Sequence, residues 1–238
     1  MERIQKLLNA RGVASRRDAE ALIQSGRVTV DGVPAHLGQR ADPHIQEICV
    51  DGRPLPPLET DRVYLMLNKP VGYITTLRDD RGRKTVMDIL GAEGQGLWPV
   101  GRLDMDSEGL LLLTNDGVVT QRLSHPSFEV EKRYQVWVRG EKIEEKAKAM
   151  EGPLEIDGRP IQRAGVELKS RQGKGAVLEV RIYEGRNRQV RKMCALFDLQ
   201  VERLCRIGEG KLQLGDLKPG TWRALTTEER AYLQSFCV

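Results

Sequence analysis

Three carboxylates and an arginine crowd one short stretch between two glycines, Gly101-Arg102-Leu103-Asp104-Met105-Asp106-Ser107-Glu108-Gly109. A carboxylate held rigidly can act as an acid, a base or a nucleophile. Glycine at both ends lets the backbone turn sharply and lets a ligand approach closely. The stretch passes directly into Leu110-Leu111-Leu112-Leu113-Thr114-Asn115-Asp116-Gly117. Four leucines followed by turn residues predict a short strand buried on both faces. A charged loop feeding into buried backbone is a place to fix a carboxylate; the competing reading is a solvated acidic turn. A second cluster is the most basic in the chain: Glu184-Gly185-Arg186-Asn187-Arg188-Gln189-Val190-Arg191-Lys192-Met193. Gly185 frees the backbone, and the residues after it form a helix whose inward positions are Val190, Met193 and Leu196. Arg188, Arg191 and Lys192 then stand near one another at helical spacing. Cations at a helix start oppose its dipole, so the pattern implies an anionic partner supplied from elsewhere.

These groups must be positioned by the elements around them. Val63-Tyr64-Leu65-Met66-Leu67 reads as a strand and turns at Asn68-Lys69-Pro70-Val71-Gly72. Residues 131–138 alternate like a strand with Tyr134, Val136 and Val138 on one face. Further strands are predicted at 176–182, 201–207, 211–217 and 222–225. Helices are few and short: 85–90, 118–123 ending before His125-Pro126, 141–150, and a last one to 236 opened by the capping box Thr226-x-x-Glu229. His125 reads as structural or exposed. The charged loop Arg78-Asp79-Asp80-Arg81-Gly82-Arg83-Lys84 has two readings, a solvated connection or a phosphate contact made by its four basic residues ahead of the helix at 85–90. With no βαβ rhythm, the pattern predicts an α+β protein with a mixed, mostly antiparallel sheet and flanking helices.

The N-terminal stretch differs. Arg3, Lys6, Arg11, Arg16, Arg17 and Arg27 face Glu2, Asp18 and Glu20. Ile4, Leu7 and Leu8 recur at helical spacing, and a second helix starts at Ser15, its cap, with Ala19, Leu22 and Ile23 inside. Val28-Thr29-Val30-Asp31-Gly32 and Ile48-Cys49-Val50-Asp51-Gly52 repeat one strand-and-turn pattern. The expectation is a small α+β domain over residues 1–53 with a basic helical surface. A proline-rich spacer, 54–60, separates it from a larger domain over 61–238.

Composition narrows the class. At 238 residues with 39% hydrophobic and 30% charged residues, the chain suits a globular protein. It has no apolar run of membrane-spanning length, and Met1-Glu2-Arg3-Ile4 does not read as a signal peptide. The four cysteines have no zinc-like spacing and read as reduced thiols of a cytoplasmic protein. A net charge of +4 permits a nucleic-acid partner without requiring one. No phosphate-binding glycine loop, dinucleotide fingerprint or metal-ligand spacing occurs, so no cofactor and no metal are expected.

Gly101-Arg102-Leu103-Asp104 followed by Gly109-Leu110-Leu111-Leu112-Leu113-Thr114-Asn115-Asp116-Gly117 resembles the catalytic motif of the RsuA/RluB-type ribosomal RNA pseudouridine synthases. Lys69-Pro70-x-Gly72, Lys132-x-Tyr134 and the run 184–193 match further motifs of that family, in the same order. Arg11 to Arg17, with Gly26-Arg27-Val28-Thr29-Val30-Asp31-Gly32, resembles a small RNA-binding domain first described in a ribosomal protein. The resemblance implies two α+β halves meeting at a cleft and isomerisation of a uridine in ribosomal RNA, with the large-subunit branch favoured over the small-subunit one. It assigns catalysis to Asp104 and stacking on the base to Tyr134. Arg102 would fill the space of the flipped base, and Arg186, Arg188 and Arg191 would bind substrate, with Arg191 the expected ionic partner of Asp104. Arg3, Arg11, Arg16, Arg17 and Arg27 would contact structured RNA, and the protein would work as a monomer away from membranes. Asp106 and Glu108 are expected to fix the loop. Two readings compete: a glycoside hydrolase pairing Asp104 with Asp106 or Glu108, for which aromatics at 5% supply few sugar platforms, and an inert RNA-binding or assembly factor.

Overall fold

The computed structural model describes residues 1–14, 16–57 and 61–237 and divides into two compact units, Met1–Arg62 and Val63–Val238. Ser15, the expected helix cap, and residues 58–60 of the expected spacer lie outside the described residues.

In the small unit, α1 (Ile4–Ala10) and α2 (Arg16–Gln24) bury Ile4, Leu7, Leu8, Ala19 and Ile23 against Val28, Val30 and Ile48. These three belong to an antiparallel sheet ordered Val33–Pro34, Val28–Val30, Ile48–Val50, Arg53–Pro54. Both Asp-Gly turns carry positive φ at each central residue: Asp31 at 51° and Gly32 at 80°, Asp51 at 51° and Gly52 at 73°. That is the mirror-image turn matching strand twist in a tight hairpin. The second hairpin carries the sheet into the proline-rich stretch. Pro54 pairs with Cys49, and the Leu55 amide donates to the Ile48 carbonyl at 2.7 Å. Proline is tolerated there because an edge strand needs no outward N–H.

The large unit is built on a nine-stranded sheet, with a separate two-stranded ribbon of Glu155–Ile156 and Arg159–Pro160. Its main strands are β1 (Tyr64–Lys69), β2 (Glu108–Thr114), β3 (Lys132–Arg139), β4 (Gly165–Gln172), β5 (Gly175–Ile182), β6 (Gln200–Glu209) and β7 (Trp222–Ala224). They are ordered β4-β5-β3-β6-β2-β1-β7. Only β6 and β2 run parallel, Cys205 opposite Glu108 and Arg206 opposite Gly109; the other neighbours are antiparallel. The stretch 211–217 forms only the short strand Leu212–Gln213, because the backbone turns away through Gly215 at φ 58°.

Every residue of β1 and β2 is buried, and the alternation splits their side chains between two layers. Leu65, Leu67, Leu111 and Leu113 pack on Val86 and Leu90 of α3 (Val86–Leu90). Tyr64, Met66, Leu110 and Leu112 pack on Val119 and Leu123 of α4 (Gly117–Ser124) and Leu233 of α7 (Thr227–Gln234). Each buried leucine contributes about 1.5–3 kcal/mol, so β2 is the most firmly held strand near the acidic loop. Asp116 locks its far end, capping α4 through the amides of Val118 and Val119 and accepting from the Tyr64 hydroxyl at 2.8 Å. A third cluster joins β3, β4 and β5 to α5 (Ile143–Ala149) and α6 (Gln189–Leu196). Leu196 does not face inward as expected; it is 54% exposed. Val190, Met193 and Cys194 fill the inner stripe of α6 instead. Among the described residues no helix is long and apolar enough to cross a membrane.

Candidate active site

The acidic loop between Gly101 and Ser107 is held by its backbone. Lys69, at the end of β1 and 0% exposed, donates from Nζ to the carbonyls of Asp104 at 3.0 Å, Ser107 at 2.7 Å and Pro70 at 3.0 Å. Burial pushes this ammonium down to about 8, against the pull of Asp104, Asp106 and Glu108. The Thr75 hydroxyl donates to the Leu103 carbonyl and accepts from the Leu103 amide, and the Gly72 amide donates to the Met105 carbonyl at 2.8 Å. Where the loop enters β2, Gly109 adopts φ 108°. A Cβ there would lie 2.3 Å from the Arg206 carbonyl oxygen and 2.6 Å from its amide, so only glycine permits this approach of β2 to β6.

The basic run meets the loop from the start of α6. Arg188 takes a left-handed conformation as the residue preceding the helix and donates through both terminal nitrogens to Asp106, at 2.9 and 2.8 Å. The same guanidinium lies 3.6 Å from Asp104. Arg191 donates to the Asp106 carbonyl at 2.7 Å and lies 3.4 Å from the Asp106 carboxylate. The partner of Asp104 is therefore Arg188 rather than Arg191. With α6 starting at Gln189, Arg191 reaches the backbone of the loop, while Arg188, ahead of the helix, reaches its carboxylates. The Arg188 hydrogen bonds hold the Asp106 carboxyl below the usual carboxylate range, with Arg191 adding to the effect. Glu108 is buried and paired with Arg203.

Together the loop, segment 185–190, β3 and β6 enclose a cleft of about 420 Å³, a size usual for small-ligand sites. Arg102, Asp104 and Met105 line it from the loop, Arg186 and Arg188 from the basic run, and Lys132, Tyr134, Arg206 and Glu209 from the sheet. Arg102 is exposed and makes no hydrogen bond or ion pair among the described residues. Arg186 is tied to Glu184 and to the carbonyls of Arg159 and Pro160. His125 is exposed and bonds Ser127.

The sheet wall depends on a β-bulge. Across β3 and β6, Lys132 pairs with Glu209 and Arg133 with Gly208, but Tyr134 pairs with Arg206, skipping Ile207. Regular alternation would send residues 206 and 209 to opposite faces; the extra residue rephases the strand and brings both to the face of Lys132 and Tyr134. Burial raises the Tyr134 phenol above its ordinary value, opposed by the charge of Arg206. Arg206 and Glu209 are site residues that sequence reasoning missed, and the bulge left no local signal for either. Lys69 stood in the Lys69-Pro70-x-Gly72 motif without a role assigned to it, and the structure supplies one.

In the small unit, Arg3, Lys6, Arg16 and Arg40 line one surface depression together with Glu2 and Glu20. Arg17 is exposed. Arg11 is half-buried and donates to the Leu7 carbonyl at 3.4 Å, and Arg27 makes a two-pronged pair with Asp51 at 2.7 and 2.6 Å. Among the described residues no cluster of His, Cys, Asp and Glu could hold a metal ion.

Comparison with known proteins adds independent findings. A family model described as RNA pseudouridylate synthase matches residues 63–196, and an S4 domain model matches residues 2–44. An uncharacterized RNA pseudouridine synthase of Aquifex aeolicus is 40% identical over 97% of this chain and 93% of its own. A Bacillus subtilis protein named ribosomal large subunit pseudouridine synthase B is 39% identical over 96% of this chain and 94% of its own. A crystal structure of a pseudouridylate synthase superposes with a TM-score of 0.68 at 27% identity, covering 99% of this chain and 100% of that one.

Proposed function

Because the chain belongs to the RNA pseudouridylate synthase family and carries an S4 domain ahead of its catalytic domain, we propose that it converts a uridine of large-subunit ribosomal RNA to pseudouridine with Asp104 as the catalytic carboxylate. The reaction breaks the bond between ribose C1′ and uracil N1, turns the base, and joins C1′ to C5. The proton leaving C5 is balanced by one gained at N1, so the isomerisation needs no oxidant, reductant or co-reactant. Asp104 carries the reading: it is the loop carboxylate that lines the cleft without being consumed by a two-pronged arginine pair. The Arg188 guanidinium stands 3.6 Å from it as its cationic neighbour. Tyr134 stacks on the uracil. Arg102, without a partner of its own, fills the place the base leaves when it is flipped, at a cost of a few kcal/mol.

The large-subunit assignment is carried by the name of the Bacillus subtilis relative. The small unit recruits the RNA through the basic depression around Arg3 and Arg16, with Arg11 and Arg17 as further RNA contacts; Arg27, already paired with Asp51, contributes least. Two measurements test the proposal. The purified protein should release tritium from ribosomal RNA labelled at uridine C5, and large-subunit RNA from cells lacking the protein should lack one pseudouridine. Release without a missing large-subunit site would overturn the substrate, and no release from any ribosomal RNA would overturn the activity assigned to Asp104.

A further inference from the structure

The sheet wall of the cleft carries a buried charge network that the reaction described above leaves without a role. Arg206 is 3% exposed and Glu209 is 2% exposed. They face each other at 3.5 Å, yet Arg206 Nη2 and Glu209 Oε2 each lack a hydrogen-bond partner among the described residues. A buried ion pair with unfinished hydrogen bonding costs stability, and an apolar pair of similar size would often be the more stable choice. Its presence on a cleft wall therefore calls for a role at that wall.

The geometry specifies the role. Arg206 stands directly across from Tyr134 in the β3–β6 register, and its Nε donates to the Leu110 carbonyl at 2.8 Å, one residue past the glycine that lets the strands close. The guanidinium is thus pinned on one side by β2, the strand that leaves the acidic loop, and on the other by Glu209. Glu209 reaches that position only because of the bulge at Ile207. Lys132, across from Glu209, directs its ammonium hydrogen bonds to the carbonyls of Leu123 and Val130 at 3.1 and 2.9 Å, so it acts on that carboxylate through charge alone. We propose that Arg206 and Glu209 are a positioning pair that seats the Tyr134 ring against the flipped uracil, an inference that rests on Tyr134 being the stacking residue. The pair ties the wall that holds the base to the strand that holds the catalytic loop, fixing the distance between them.

Single-turnover rates with enzyme in excess separate seating from RNA affinity. Glu209→Gln keeps the side chain's size and removes its charge; it should slow the single-turnover step about 10- to 100-fold, as expected for a misplaced contact in a reacting site, while RNA binding stays within about twofold. Arg206→Lys cannot hold both Leu110 and Glu209 and should behave alike, giving a second variant if the first fails to fold. The decisive measurement repeats Glu209→Gln in a Tyr134→Leu background. If the pair acts through the ring, the second substitution adds almost nothing to the first. Penalties that multiply, or a Glu209→Gln enzyme with the parental rate, overturn the positioning pair. A parental rate in Tyr134→Leu alone overturns the stacking reading instead, so the two failures are distinguishable.

Discussion

Replacing Lys69 by methionine tests how the acidic loop is held. The substitution removes a fully buried ammonium and leaves the carbonyls of Pro70, Asp104 and Ser107 without their donor. Orphaning a buried acceptor costs about 1–3 kcal/mol, so three cost roughly 5 kcal/mol. Against this stands the relief of burying a charge. A drop from the ordinary lysine value to about 8 corresponds to roughly 3 kcal/mol at 1.36 kcal/mol per pH unit. The balance leaves Lys69→Met less stable by about 2–4 kcal/mol, a fall in Tm of about 5–15 °C for a domain of this size. The pH dependence carries a signed check. The fold holds this proton less tightly than the unfolded chain does, so the unfolded chain binds more protons between pH 8 and about 10.4. The parent should therefore gain stability relative to Lys69→Met as pH rises through that window, by at most about 1.4 kcal/mol per unit, and show no such gain below it. Thermal melts of both proteins between pH 6.5 and 9.5 measure this. An unchanged Tm at neutral pH, or a difference flat across the series, would refute a charged Lys69 as the anchor.

Asp104→Asn should abolish tritium release while RNA binding stays within a few-fold, since no phosphate-contacting group is lost; measurable turnover would remove Asp104 from the chemistry. Asp106→Asn should keep activity within about tenfold and lower Tm by about 2–3 °C, because a half-exposed pair contributes at most about 1 kcal/mol. That loss should vanish as pH falls below the ordinary carboxylate range, where the parent's Asp106, held low by Arg188, also becomes protonated. Arg188→Ala should cost more turnover than RNA affinity, because it removes the cation beside Asp104; an RNA-affinity loss that accounts for the whole effect would make it a phosphate contact. Arg16→Ala combined with Arg17→Ala should weaken binding and reduce its salt dependence by about one to two phosphate equivalents, read from titrations at several salt concentrations.

What the sequence disclosed was what nearest neighbours determine. The leucine run of β2, the two Asp-Gly hairpins, the capping box at Thr226 and the shared face of Tyr134, Val136 and Val138 all follow from periodicity or local hydrogen bonding, and each forms as expected. Strand β4 escaped because it lies at the sheet's edge, with Val166 its one buried hydrophobic side chain among the described residues. The exchange of Arg188 for Arg191 as the partner of Asp104 escaped for another reason. It turns on a left-handed residue at the helix start and on contacts spanning more than eighty positions of sequence. Likewise, nothing local to residues 200–209 announces a bulge that exists only in register with β3.

Each tether on the acidic loop from Lys69, Thr75 and Gly72 ends on a main-chain atom. Main-chain atoms are common to all residue types, so these clamps are indifferent to which side chains the loop displays. Arg102 and Met105, which line the cleft from it, can accordingly be exchanged without unmaking the frame that holds Asp104. Three of the loop's clamps thus come from residues outside it, while its own sequence contributes to its shape through Gly109 and through the Asp106 side chain that Arg188 holds.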